Sequence, residues 1–287
     1  IQVWGGEDNN PPRYGQVYLA IKTKSGVTLT QAQKDSIVKL LDNYNIASVR
    51  PTIVDPETTK IRLKSSIKFD TKSTTKTPTT IETDVTNVIS TYNTSDLEQF
   101  DGVFRFSKLS RLIDNADSSI LSNITTLKFE KTFTPVLNTP SQYILDFSNA
   151  IYNPHSGHNS VLGGVVESTG FTISGNANTI FLDDDGAGNI RTYYLVGGTT
   201  RTYVSSTAGT INYASGLITI PSLTITGTSN SNGTVQLITQ PKSNDIVPVR
   251  NQLLEIDFTN TTVTAEVDTI ESGGSSAGTG YTTTSSY

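Results

Sequence analysis

The chain has 287 residues, a net charge of −5, 34% hydrophobic and 16% charged residues; that length fits two modest domains or one large β domain, and the Thr/Ser/Asn-rich remainder suits pleated, turn-rich surfaces. Residues 1–147 hold 17 Lys/Arg against 16 Asp/Glu and the remaining 140 hold 4 against 10, so neither part carries the dense basic field that a phosphate backbone needs, and nucleic acid is not expected as a partner. The absence of cysteine excludes disulfides, thiolate catalysis and cysteine metal sites, and with no run of 18 apolar residues no membrane span is expected.

The first predicted element is a loop, Trp4-Gly5-Gly6-Glu7-Asp8-Asn9-Asn10-Pro11-Pro12-Arg13-Tyr14-Gly15. Paired glycines let its backbone turn through positive φ, and the two prolines stiffen it and extend the residue before each. It holds no nucleophile–base pair. A strand follows over residues 16–22, with Val17, Leu19 and Ile21 on one face. Thr28 with Gln31 fits a capping box at the head of a helix whose apolar face is Ile37, Leu40, Leu41 and Tyr44. Residues 47–55 read as a strand interrupted by Pro51, and the turn 55–58 leads into the clearest strand of the chain. There Ile61, Leu63, Ile67 and Phe69 alternate with Lys60, Arg62, Lys64 and Lys68, the signature of a sheet with one face in a core and one in solvent.

Beyond a Lys/Thr-rich loop at 72–80, Ile81, Val85, Val88, Ile89 and Tyr92 describe a second helix, with Thr79 or Thr80 as its expected cap. A short helix is expected at 107–114 and a strand at 125–134, where Leu127, Phe129, Lys131 and Phe133 alternate. The order β-α-β-β-α-(α)-β is that of a ferredoxin-like, split-βαβ domain over residues 1–147, with both long helices on one sheet face. From about Tyr143 the texture changes to short alternating runs divided by turns such as Gly163-Gly164, Asp185-Gly186, Gly197-Gly198 and Asn232-Gly233. That pattern predicts a small antiparallel β domain at 148–270, a sandwich or barrel without helices. Residues 271–287 are Gly/Ser/Thr-rich and read as a flexible tail. The fold class is therefore α+β.

The string Gly5-Gly6-Glu7, followed by Pro11-Pro12 and Tyr14-Gly15-Gln16-Val17-Tyr18-Leu19, resembles the gene-product-six family of baseplate wedge proteins from T-even-type contractile-tailed phages. The helix start at Leu29-Thr30 and the Pro51-Thr52-Ile53-Val54-Asp55-Pro56 turn extend the resemblance over residues 4–70; the turn is also similar to that of J-like baseplate assembly proteins. Gly209-Thr210-Ile211-Asn212-Tyr213 adds only a hairpin texture. The resemblance implies a structural subunit of the virion tail baseplate, assembled in the host cytoplasm. In that family two copies join one copy of a different wedge protein, and their carboxy-terminal parts meet those of the next wedge to close a ring around the tail hub. As the chain has no initiator Met and opens within a loop, it is expected to be the carboxy-terminal, ring-closing half.

Residues that could carry chemistry are few. His155 and His158 lie in Asn153-Pro154-His155-Ser156-Gly157-His158; they read as a polar loop, with a metal site as the alternative that lacks a third ligand nearby. Asp183-Asp184-Asp185-Gly186 reads as a hairpin turn; a calcium loop is the alternative, but EF-hand spacing would need an acid where Phe181 stands. Asp114 and Asp117 read as solvated charge. There is no Gly-x-Ser-x-Gly elbow and no phosphate loop. No enzyme activity, cofactor, metal or small-molecule substrate is expected. Lys60, Arg62, Lys64 and Lys68 form either a solvated sheet face or a docking face for an acidic partner, such as the acidic second half of another copy. Trp4 and Tyr14 are the aromatic interface candidates, with packing on the chain's own core as the other reading. The leading function is self-association, a dimer in isolation and a ring in the virion, with other wedge proteins as further partners. The second reading is a host-facing adhesin or glycan-binding β module, for which Tyr193, Tyr194 and Tyr203 would be the exposed aromatics.

Overall fold

In the computed structural model, residues 1–9, 11–24, 28–44, 49–157 and 164–269 are described; the tail expected at 271–287 lies outside them. The elements in chain order begin with β1 (Gln2–Gly5), β2 (Gln16–Ala20), α1 (Gln31–Leu41) and β3 (Arg50–Val54). Next come β4 (Glu57–Phe69), α2 (Pro78–Tyr92), α3 (Phe106–Asp114) and β5 (Ile120–Phe133). From there every described element is a strand: β6 (Ser141–Asp146), β7 (Glu167–Ser168), β8 (Phe171–Ile173), β9 (Asn176–Asp184), β10 (Asn189–Val196) and β11 (Thr200–Asn212), then β12 (Leu217–Leu223), β13 (Ile225–Thr228), β14 (Val235–Thr239), β15 (Gln252–Ile256) and β16 (Thr262–Val267).

Two compact units result, and the chain passes between them five times, inside β4, β5 and β15 and at either end of Asp96–Phe104. One comprises Ile1–Lys60, Asp96–Phe104 and Phe129–Glu255. Its amino-terminal part is a three-stranded sheet in the order β1-β2-β3, with β1 antiparallel and β3 parallel to β2. Pro51 sits in β3, at the sheet edge, where a residue without an N–H costs no ladder bond. Helix α1 crosses from β2 to β3, as a parallel pair requires. The same unit holds a seven-stranded sheet, β13-β8-β9-β10-β11-β12-β6, antiparallel throughout. Gly197 and Gly198, both at positive φ, make the tight β10–β11 turn. Phe129 packs on Phe147 with ring centroids 4.6 Å apart, and Phe171, Leu182, Ile190 and Ile220 are fully buried, each side chain stabilising the fold by about 1.5–3 kcal/mol.

The second unit comprises Ile61–Ser95, Arg105–Lys128 and the described residues from Ile256 onward. Ile61, Leu63, Ile67 and Phe69 are 0–1% exposed, as the alternation predicts. Helix α2 buries Ile81, Val85, Ile89 and Tyr92, and α3 buries Leu109 and Ile113 beside it. β16 runs parallel to β4 from Thr262↔Lys64 to Val267↔Phe69 and lies against α2. Two helix starts differ from expectation. The capping box of α1 is Thr30 with Gln33, and α2 is capped by Thr77 with Pro78 in its first turn.

The split-βαβ sheet expected over 1–147 is not the one formed. β2 and β3 belong to a sheet with β1, while β4 and β5 lie side by side in another sheet, β4 pairing also with β15 and β16 and β5 with β14. The two long helices accordingly lie against different strands, α1 on β3 and α2 on β16. With β1 on one edge and β3 on the other, β2 has no edge left for β4, which pairs with β5, β15 and β16 instead.

One surface network in the second unit gives a pH test. The Lys76 Nζ donates to Asp84 Oδ2 at 2.8 Å and Asp117 Oδ2 at 2.5 Å, and Ser119 donates its N–H and hydroxyl to Asp117 Oδ1. These bonds, the lysine's first, pull the Asp117 carboxyl down to about 2 and push the Lys76 ammonium up to about 12. A depressed carboxyl stabilises the fold above its ordinary value and stops doing so as pH falls through its folded value. Thermal stability should therefore fall as pH drops from 4 to 2, by the small amount expected of a surface pair. Melting curves of wild type and Lys76→Ala at both pH values test this: the two slopes should differ, and equal slopes would remove the network from the pH response.

Candidate protein interface

The opening motif folds back on itself at Gly6. The Gly6 carbonyl accepts the N–H of Arg13 at 2.7 Å and of Asn9 at 3.2 Å. A Cβ on Gly6 would sit 1.9 Å from the Arg13 carbonyl oxygen, so only glycine permits this closure. Trp4 lies in β1 opposite Tyr18 of β2, and the two rings stack at 5.7 Å with an interplanar angle of 18°. The indole N–H donates to Asn9 Oδ1 at 3.0 Å. Trp4 is thus half-buried on its own sheet, whereas Tyr14 is 81% exposed.

The loop is tied down from a distant part of the sequence. Arg250 Nη1 donates to the Asp8 carbonyl at 2.8 Å, and Asn251 donates to the Asp55 carbonyl while accepting the Glu57 N–H, both at 2.9 Å. Arg250 makes these contacts from positive φ, 57°, a conformation that costs a non-glycine residue about 1 kcal/mol or more. Trp4, Tyr18, Ile144 and Arg250 line an open groove of about 810 Å³, which Tyr14 does not enter. Its lining mixes Arg13 and Arg250 with Asp55 and Asp146, so it favours no single sign of charge. Arg250 and Asn251 were not legible as motif partners, since no local pattern in the sequence marks them.

The basic row divides. Arg62 lies 3.7 Å from Asp257, and Lys68 is 2.6 Å from Glu266, its register partner on β16. The acids that meet Arg62 and Lys68 thus come from the same chain. Lys60 is partly covered and Lys64 exposed.

The Asp183–Asp185 run sits at the β9–β10 hairpin, as the turn reading expects. Its three carboxylates have separate partners. Asp183, 1% exposed, accepts a fork from Arg191 at 2.9 and 3.1 Å, Arg201 at 2.6 Å and the Tyr203 hydroxyl at 3.0 Å. Arg191 lies over the Tyr203 ring at 4.3 Å and Arg201 over the Tyr193 ring at 4.5 Å. Asp184 accepts the Val166 and Gly186 N–H groups and the Tyr213 hydroxyl; burial first, then this carboxylate, pushes the Tyr213 phenol up. Asp185 accepts from Ala187 and Asn189 in the turn. Among the described residues no cluster of three or more His, Asp or Glu is arranged for a metal ion. His155 is exposed, and His158 lies outside the described residues.

Two of the three aromatic candidates, Tyr193 and Tyr203, belong to the same cluster, while Tyr194 is half-buried outside it. Tyr193 is buried, stacked on Phe181 at 5.7 Å, and Tyr203 is held by Asp183 and Arg191. They pack an internal ion cluster, not an exposed platform on which a sugar could stack.

Comparison with known proteins agrees with the motif geometry. Residues 1–54 match the model of the baseplate structural protein gp6, C-terminal domain I, which here is the β1-β2-β3 sheet with α1. Residues 58–132 match the same protein's C-terminal domain III, which here covers β4, α2, α3 and nearly all of β5. The chain is also similar to the baseplate wedge protein gp6 of Enterobacteria phage T4, 28% identical over 133 residues. That alignment covers 46% of this chain and 20% of the T4 protein.

Proposed function

Since residues 1–54 and 58–132 are gp6-like, we propose that the chain is a non-enzymatic structural subunit of a phage tail baseplate wedge. In this reading it resides in the virion tail, is assembled in the host cytoplasm, contacts other wedge proteins and associates with copies of itself between wedges, closing a ring around the tail hub. The observation that carries the reading is the match to two domains of one baseplate protein in consecutive stretches. The residues with catalytic or ligating potential support it, because Asp183, Asp184, Arg191 and Arg201 are engaged with one another and with tyrosines. A ring of one repeated chain can use an isologous contact, in which one patch meets itself.

Sedimentation of the chain across a concentration series from micromolar to millimolar tests the reading. The expected result is a monomer–dimer equilibrium. A mass that stays monomeric over the whole range would oppose self-association as this chain's role.

A further inference from the structure

Residues 1–54 form a module that meets the rest of its unit across gaps. β1, β2, β3 and α1 pack chiefly on one another, and Gly6 and Ala20 are the module's only buried residues among those described. Two cavities lie along its boundary. The larger, about 810 Å³, is lined by Trp4 and Tyr18 of the module and by Ile144 and Leu217 of β6 and β12. The smaller, about 320 Å³, is lined by Ile21 and Thr28 of the module and by Leu253 and Leu254 of β15. A boundary with such gaps forgoes the apolar burial and dispersion contacts that hold packed elements together. The attachment therefore rests on polar bonds.

Two consecutive residues make the bonds that matter most. Arg250 donates to the Asp8 carbonyl of the module and lies 3.9 Å from Asp146 of β6. Asn251 brackets Asp55–Pro56, the link from β3 to β4, through the Asp55 carbonyl and the Glu57 N–H. Lys22 with Glu98 and Gln2 with Asp101 add two ties that water reaches. The backbone shows that the Arg250 side chain is kept at a cost. The Gln252 N–H donates to the Val249 carbonyl at 3.1 Å, closing a turn whose second residue, Arg250, has φ 57° while Asn251 is not at positive φ. Mirror-image turns favour glycine at that place, because a Cβ is strained there. Glycine would suit the turn yet could not reach Asp8. An arginine here gives up turn stability for a bond across the boundary, the kind of strain that persists where a side chain has a task.

We infer that residues 1–54 are a hinged module that moves against the seven-stranded sheet about Asp55–Pro56, with Arg250 as its latch and Asn251 as the clamp on its hinge. The inference concerns a single chain and stands apart from the self-association reading. Because the chain has no cysteine, Lys39→Cys and Ser206→Cys, both at exposed positions, carry a pair of spin labels that reports the module against the sheet. The labelled chain is diluted with unlabelled chain, so that only separations within one molecule are read. The pair is measured with Arg250 intact, with Arg250→Gly and with Arg250→Ala, and hydrogen exchange over β9, β10 and β11 reads the sheet itself. With Arg250 intact one separation should dominate. In both variants a second should appear, the ratio of released to latched chains rising about tenfold, as loss of a bond from a charged donor implies. Arg250→Gly also removes the strained φ, so exchange over β9, β10 and β11 should not accelerate. Separations in Arg250→Gly identical to those with Arg250 intact overturn the latch. A second separation in Arg250→Ala alone overturns it too, because the strained turn and not the missing side chain would be its cause. A second separation in Arg250→Gly that comes with faster exchange over β9, β10 and β11 overturns the hinge, since the sheet would be unfolding rather than the module moving.

Discussion

Asp183→Ala is expected to destabilise the protein by about 3–5 kcal/mol, the cost of leaving buried charge without its partner. The substitution strips Arg191 of both arms of its fork and Arg201 of its shortest contact. Arg191 has almost no access to water, with a side chain 6% exposed, whereas Arg201 at 29% can partly resolvate. The Tyr203 hydroxyl loses its acceptor too. For a unit of this size the melting temperature should fall by roughly 6–20 °C. Asp183→Asn should fall between wild type and Asp183→Ala, since its amide oxygen still accepts on one side while its NH2 faces an arginine N–H where the second carboxylate oxygen accepted. Lys68→Ala supplies the scale, because its pair with Glu266 is exposed and should cost no more than about 1 kcal/mol. Thermal denaturation of the four proteins at pH 7 decides the matter. An Asp183→Ala melting point as close to wild type as that of Lys68→Ala would mean that the cluster is not the anchor of the β9–β10–β11 region.

The parts of the fold legible in the sequence are those with a local cause. β4 alternates because one of its faces is core and the other solvent, and that period is written in consecutive residues. The β9–β10 hairpin follows from Asp185-Gly186 between two apolar runs. Helix α2 is legible as an amphipathic stripe, but its cap is not Thr79 or Thr80. Pro78 is favoured in the first turn, where its missing N–H has no partner to lose, and this sets Thr77 as the cap. For α1 the motif itself is degenerate, since Thr28-x-x-Gln31 and Thr30-x-x-Gln33 overlap and only the second is used. The opening motif reads as loop throughout because its first strand is four residues long and ends on glycine; the cross-strand Trp4–Tyr18 stack is what makes it a strand.

Pairing was the illegible part. Periodicity tells a strand which of its faces is buried but not which strand lies beside it, and two of the three partners of β4, β15 and β16, come from residues nearly 200 positions away. The expected division near residue 147 follows a change of texture, whereas the compact units follow contacts and interleave along the chain. The interface candidates suffered the same limit. A lone Trp in a Gly/Pro-rich stretch is equally suited to an interface or to its own sheet until Tyr18 is seen opposite it. The basic row on β4 becomes partly an internal ion-pair row only once Asp257 and Glu266 are known to arrive beside it.

Removing residues 258–287 should therefore unfold the second unit selectively. The deletion takes away β16, which pairs with β4 at six consecutive positions. It also removes the Ala265 N–H that Glu82 of α2 accepts at 2.9 Å, the Thr261 hydroxyl that accepts the Leu63 N–H at 3.1 Å and the glutamate paired with Lys68. At about 1 kcal/mol net for each ladder bond, with the apolar contact against α2 added, the loss is comparable to the whole stability of a small unit, 5–15 kcal/mol. Hydrogen exchange reads the two units separately. Protection should collapse over residues 61–69 and 78–92 while β9, β10 and β11 stay protected, because their ladders lie in the other unit. A synthetic peptide spanning residues 257–269, added in excess, should restore part of the lost protection by supplying the missing strand in trans. Unchanged exchange over residues 61–69 in the truncated chain would show that β4 does not depend on β16. A loss spread evenly over both units would show that they do not unfold independently.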